Sequence, residues 1–240
     1  MSRNHWVSLF AVPALMSVLA GSAHGDVLVR YDFGADEATQ TKNPATVNAG
    51  VTATPITSPS TGYGDTAHVQ GPVWWFSETN PAGGNVLAMG WPGNAYEPAH
   101  NNTGGPAYFT FTVTANGSVP MLLNDLQFKV GTAQSGSFLP KFFVNTDVDG
   151  FGSTQWIHHN TITAQPAGGA LRWQDETVSL AGLQYQGLNS ITFRIYYNGN
   201  FGPEGLWDNI VLNGTAVPEP AALSVLALGG MMVLARRRQT

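Results

Sequence analysis

The sequence contains no cysteine, which excludes a disulfide framework, thiolate-ligated zinc and a cysteine nucleophile. Charge is scarce too: 10% of the 240 residues are Asp, Glu, Lys or Arg, against roughly 25% in ordinary globular chains. Helical bundles need Lys and Glu on their exposed faces, so this shortage argues against a helical protein. Basic residues are the scarcer sign, 10 against 15 acidic for a net charge of −5. No basic stripe able to grip a phosphate backbone is present, so nucleic acid is not an expected partner. HExxH, G-x-S-x-G and the phosphate-loop pattern are all missing, and with them the commonest sequence marks of hydrolysis and nucleotide binding.

What the chain does have is 28 Gly and 15 Pro beside 43% apolar residues, the composition of a chain that turns often around a substantial core. Its length suits one domain of about 150 to 200 residues with appendages. The charge is divided by segment. Residues 1–25 hold Arg3 and no acid, 26–217 hold six basic and fourteen acidic residues for a net of −8, and 218–240 hold three Arg and one Glu. Two basic, apolar ends flank an acidic middle, the pattern of membrane-directed segments around an exported domain.

At the N-terminus Arg3 precedes the apolar run Val7 to Leu19, followed by the small residues Ala23 and Gly25. That order predicts a secretory signal peptide, 1–25, handled by the Sec translocon and by signal peptidase, which accepts small side chains before its cut. Cleavage is expected after Gly25, with Ala23 as the alternative position. At the C-terminus the apolar run Ala221 to Ala235 is fifteen residues, about 22 Å as a helix against a hydrocarbon core of about 30 Å. It predicts a short transmembrane helix, 221–235, whose following Arg236, Arg237 and Arg238 hold the chain end in the cytoplasm.

The order Val217-Pro218-Glu219-Pro220, apolar stretch, three terminal arginines closely resembles the PEP-CTERM sorting signal of Gram-negative bacteria. The resemblance covers the last two dozen residues, 218–240. It implies recognition by an exosortase, a membrane-embedded cysteine transpeptidase-like enzyme, with Pro218, Glu219 and Pro220 as the recognition motif and Arg236 to Arg238 as the stop-transfer cluster. It further implies a route through the inner membrane to the cell surface or to an exopolysaccharide matrix such as a biofilm. An uncut tail anchor is the alternative.

Residues 26–217 carry no linker and no internal repeat, and read as one domain. Period-2 alternation predicts a strand over 122–130, with Leu122, Leu126, Phe128 and Val130 on one face and Leu123, Asp125, Gln127 and Lys129 on the other. Likewise Ile191, Phe193, Ile195 and Tyr197 alternate with Thr192, Arg194 and Tyr196, and Phe109, Phe111 and Val113 with three threonines. Further strands are expected over 27–33, 51–57, 73–76, 86–91, 138–146, 171–180 and 206–214, separated by glycine-bearing turns. One-sided strands belong to sheets with one wet face, so the expected fold is all-β: a single antiparallel β-sandwich, jelly-roll-like. The final strand Leu206-Trp207-Asp208-Asn209-Ile210 resembles the closing strand of many bacterial jelly-roll modules, carbohydrate-binding ones among them. Strict alternation would set Trp207 opposite both Asp208 and Ile210.

Two sets of oxygen ligands are candidates for a structural calcium. Asn145, Asp147 and Asp149 fit positions 1, 3 and 5 of a calcium loop with Gly150 at the turn, but position 12 is Trp156; a polar β-turn is the competing reading. Asp32 and Asp208, on the first and last strands, are the second set, with hydrogen bonding to backbone amides as the competing use. Six tryptophans remain in the exported segment. Adjacent Trp74 and Trp75 must point to opposite faces of a strand, and an outward indole can stack on a sugar ring. Trp75, Trp74, Trp91 and Trp156 are therefore candidates for glycan contact, with core filling as the alternative. His158 and His159 should diverge on a strand. Asp175-Glu176 are sequence neighbours, whereas a glycosidase needs two carboxyls facing each other about 5 to 10 Å apart. The expectation is an exported, exosortase-sorted, non-catalytic envelope or matrix protein. The alternative is a polysaccharide-binding module, calcium-stabilised, and a glycan-active hydrolase is the least supported.

Overall fold

The computed structural model describes residues 25–58, 68–70 as backbone, 84–89, 108–117, 120–132, 139–151, 156–167, 170–198 and 205–216. The predicted signal peptide up to residue 24, the strand over 73–76, Trp74, Trp75, Trp91 and the whole segment 218–240 lie outside the described residues. Within them the strands are β1 (Asp26–Tyr31), β2 (Thr46–Val47), β3 (Val51–Ala53), β4 (His68–Gln70), β5 (Val86–Met89), β6 (Tyr108–Ala115), β7 (Met121–Thr132), β8 (Lys141–Thr146), β9 (His158–Thr161), β10 (Gln174–Ser179), β11 (Gln186–Leu188), β12 (Ser190–Asn198) and β13 (Gly205–Ala216). Among the described residues no α-helix occurs, and two short 3-10 turns are the only helical elements.

The strands form two antiparallel sheets. One runs β10-β7-β13-β1-β2, with β11 also on β7 and β5 and β4 continuing from β13; the other runs β3-β6-β12-β8-β9. Their facing sides make the core. Phe109, Phe111 and Val113 of β6 and Ile191, Phe193, Ile195 and Tyr197 of β12 are all buried in it, as period 2 predicts;. Aromatic pairs join the sheets: Phe109 meets Trp207 edge-on at 5.2 Å, Phe128 meets Phe142 at 5.4 Å, and Tyr31 meets Phe111 at 5.2 Å. Each such pair adds about 0.5–1.5 kcal/mol to the burial of its area. Gly205 sits where a Cβ would come within 2.6 Å of both the Trp207 and Tyr197 rings, so the indole occupies space that only glycine leaves.

Two bulges correct the predicted faces. In the β7–β13 ladder Asn213 pairs with Asp125 but Gly214 pairs with Leu123, leaving Asn124 extra. The parity of β7 flips there, so Leu123 is buried and Leu122 is exposed, the reverse of the expectation. In β13, Asp208 pairs with Lys129 and Val211 with Gln127, and Asn209 takes the left-handed conformation at φ 49°. The added residue returns Ile210 to the core side with Trp207, where strict alternation separated them.

At the other edge a polar contact spans the two sheets. Glu176 of β10 points inward and is 6% exposed; its carboxylate lies 2.8 Å from His158 Nε2 of β9 and accepts from Asn160 Nδ2 at 2.9 Å and from the Gln174 amide. A buried carboxylate is tolerable because several donors replace its water.

Trp207→Ala is expected to destabilise the domain by about 3–5 kcal/mol, the cost of a large core cavity. Urea unfolding would show a lower midpoint with an unchanged slope.

Candidate functional site

The residues between the core positions of the five-stranded sheet point to its outer side, and pairing registers align them into rows. Tyr108 of β6 pairs with Tyr196 of β12, Tyr196 with Phe143 of β8, and Phe143 with His159 of β9. Four strands thus contribute four aromatic rings to one row, about 14 Å long at the usual strand spacing. The rings touch: Tyr108 to Tyr196 at 5.1 Å and Phe143 to His159 at 5.9 Å between centroids. Trp156 packs on both middle rings, 5.0 Å from Phe143 and 5.2 Å from Tyr196. Phe143 and Tyr196 are buried as the floor, Tyr108 and Trp156 are half-buried, and His159 is exposed.

The next row holds Thr110, Arg194 and Asn145. The Arg194 guanidinium carbon lies 3.7 Å from the Phe151 ring centroid and 4.9 Å from that of Tyr108, cation–π contacts that hold its plane. Burial raises the Tyr196 phenol above its ordinary range, and the neighbouring Arg194 acts against that rise;. Asn145 is 0% exposed. Its Oδ1 accepts the Thr146 N–H at 3.0 Å, while its Nδ2 has no acceptor. A buried donor left unmade costs about 1–3 kcal/mol. Beyond it the face turns to hydroxyls, with Thr112 and Thr192 in contact at 3.0 Å.

The first calcium set does not assemble as a loop of ligands. Asp147 Oδ1 accepts the Thr192 N–H at 2.9 Å, Asp149 Oδ2 accepts the Tyr185 hydroxyl at 2.6 Å and the Thr146 hydroxyl at 2.5 Å, and Asn145 belongs to the outer row. These bonds make a turn over 147–151 in which Gly150 and Phe151 are left-handed, the polar-turn reading. Burial first, then Asp149, pushes the Tyr185 phenol far up.

Asp32 and Asp208 do approach, on the outer side of the other sheet. Asp208 is 7% exposed, and its carboxyl is pushed up to about 6, chiefly by burial and further by Asp32, against the Asn209 N–H and the charges of Lys129 and Arg30;. The Asn209 N–H donates to Asp208 Oδ1 at 2.6 Å, and the buried Oδ1 atoms of Asn209 and Asn85 have no donor. Two carboxylates are hard oxygen donors of the kind that calcium takes, and Asp32 is close enough to act on the Asp208 charge. Among the described residues no three His, Cys, Asp or Glu side chains are gathered as a metal site.

His158 and His159 diverge, one onto Glu176 inside and one onto Phe143 outside. Asp175 and Glu176 also part, Asp175 pairing with Lys129 at 2.8 Å on the surface. Trp207 is core, and Trp173 packs on the small cluster of Val86, Ala88, Leu171 and Leu206. Of the tryptophans proposed for glycan contact, Trp156 stands on the aromatic row. Tyr108, Phe143, His159, Arg194 and Tyr196 were not picked out as a site from sequence, although alternation had already put Arg194 and Tyr196 on one face; their strand neighbours were the missing information.

No family model and no curated protein matches this chain. Similar solved structures include the carbohydrate-binding module TmCBM61 in complex with β-1,4-galactotriose (TM-score 0.37, 10% identity, 77% of this chain and 99% of that one). Another is the CBM22-1 xylan-binding domain of Paenibacillus barcinonensis Xyn10C (TM-score 0.41, 16% identity, 82% and 99%). The K2 cleaved adhesin domain of Lys-gingipain is a third (TM-score 0.44, 14% identity, 77% and 97%). What those domains bind is a property of those domains.

A folded carboxyl above its unfolded value of 3.8 holds its proton more tightly in the native state. Asp208 therefore favours the fold below about pH 4, and that contribution is lost as pH rises to about 6, by roughly 2–3 kcal/mol in all. Urea unfolding in chelator from pH 4 to 7 is expected to show this loss in the wild type, and Asp208→Asn is expected to remove it and to be the more stable protein at pH 7.

Proposed function

We propose that this chain is an exported, non-catalytic polysaccharide-binding module of the bacterial cell envelope or extracellular matrix, with a jelly-roll-like ectodomain. The carrying observation is the cross-strand row Tyr108, Tyr196, Phe143 and His159 with Trp156 packed on it. The C–H face of a pyranose is apolar and slightly positive, and it rests favourably on the negative face of an aromatic ring. Trp156, Tyr108 and His159 are the accessible rings, held in place by the buried Phe143 and Tyr196 beneath them, and the flanking hydroxyls of Thr112 and Thr192 supply polar contacts. A binding rather than catalytic role fits the use of the neighbouring acids Asp175 and Glu176, one in a surface ion pair and the other hydrogen-bonded between the sheets.

The terminal segments supply the address. A signal peptide ending at Gly25 would release a domain whose first strand opens at Asp26. The Pro218-Glu219-Pro220 motif, apolar stretch and terminal arginines would deliver it to exosortase, through which it leaves the inner membrane for the surface or the matrix.

Affinity electrophoresis of residues 26–217 against a panel of neutral and acidic polysaccharides tests the binding reading. At least one polymer should retard the wild type, and Trp156→Ala should weaken that binding about tenfold or more; retardation by none would overturn it. Deleting 218–240 is expected to leave the protein unprocessed by exosortase and released from the membrane fraction. Unchanged fractionation would remove the sorting proposal.

A further inference from the structure

Resting on the polysaccharide reading, we infer that the glycan is acidic: the outer face reads a carboxylate-bearing sugar through Arg194, with Asn145 as a second donor. The exported segment holds six basic residues against fourteen acidic ones, so an arginine set in the middle of a candidate binding face needs a reason. Arginines in folded proteins usually meet a carboxylate. The ion pairs formed among the described residues are Lys129–Asp175 and His158–Glu176, and neither includes Arg194. The nearest acid along the sheet, Asp147, accepts the Thr192 N–H instead.

Arg194 is half-buried, and its plane is fixed by Phe151 at 3.7 Å and Tyr108 at 4.9 Å. One guanidinium N–H donates to the Tyr196 hydroxyl; the ring contacts occupy the guanidinium faces and leave its other N–H groups for an acceptor such as a carboxylate;. Directly across the ladder stands Asn145, fully buried with Nδ2 lacking an acceptor. Its Oδ1 accepts the Thr146 N–H, so the unused atom is the donor Nδ2. Among the described residues a cation without an anion and an amide donor without an acceptor therefore occupy adjacent positions in one row, beside the aromatic row. The missing partner is an acceptor of negative charge. The planar carboxylate of a uronic acid stacked on the aromatic row suits it, whereas a neutral sugar would leave the charge unanswered.

The test compares alginate, polygalacturonate and hyaluronate with their carboxyl-reduced forms, in affinity electrophoresis and calorimetry of residues 26–217. The wild type is expected to bind at least one acidic polymer about tenfold or more tightly than its reduced counterpart, and to lose affinity with added salt. Arg194→Gln should remove that preference, Arg194→Lys should restore it in part by keeping charge without the fork, and Trp156→Ala should weaken acidic and reduced polymers alike. Asn145→Asp, which supplies an internal anion beside Arg194, should also lower acidic binding. Melting temperatures of the variants separate lost folding from lost binding, and Arg194→Lys keeps the test open should Gln or Asp unfold the domain. Equal binding of acidic and reduced polymers, or an Arg194→Gln protein that keeps the preference, would overturn the inference while leaving the module a polysaccharide binder. A sulfated dextran bound as well as the uronates would overturn the carboxylate assignment. Binding to no polysaccharide of either kind would remove the underlying reading and the inference together.

Discussion

The rest of the molecule depends on the interlocking of aromatic side chains between two sheets that no disulfide ties together. Trp207 sits where β13 is paired to β7, with Phe109 and Tyr197 of the opposite sheet against its edges at 5.2 and 5.7 Å. Large rings bring much apolar area per residue, which suits a chain with no cysteine. Committing every second residue of β6, β8 and β12 to this contact leaves the residues between them no choice but to face outward. The outer row is therefore a consequence of the core: with Phe109, Phe142, Ile195 and Tyr197 inside, Tyr108, Phe143 and Tyr196 stand outside on the same strands.

The outer face so produced is ordered by chemistry along the strands. Aromatic rings lie at one end, Arg194 and Asn145 follow, and threonines complete it. Phe143 and Tyr196 are buried beneath Trp156 on the outer side of the sheet, and Asn145 Nδ2 is unpaired beside an arginine that has no counter-ion among the described residues.

Polar side chains elsewhere are engaged internally. Asp149 ties the 147–151 turn to Tyr185, Asp147 holds the end of β12, and Glu176 gathers His158, Asn160 and Gln174 where β9 and β10 approach. The last of these joins β9 to β10 beside the Phe128–Phe142 pair and adds hydrogen bonds between the sheets. Asp208 is different: it is buried, with Asp32 acting on its charge, an arrangement disfavoured at neutral pH and relieved by a proton.

The all-β class, the two-sheet architecture and most strand positions were legible in the chain, because burying one side of a strand forces a period of two and glycine marks the turns between. The faces were legible wherever that period ran unbroken, as in β6 and β12. They were lost at Asn124 and Asn209, because a bulge adds one residue without any compositional mark. The oxygens at 147 and 149 that fit a calcium spacing accept hydrogen bonds in a turn, and their partners Thr192 and Tyr185 lie far along the sequence, where no local pattern could show them. By itself the sequence determined the alternation and the aromatic wealth of the core, since these are properties of neighbouring residues. Only the tertiary structure decided that Tyr108, Phe143, His159 and Tyr196 share a row and that Arg194 meets Asn145 beside it, because register between strands is set by core packing and bulges across dozens of intervening residues.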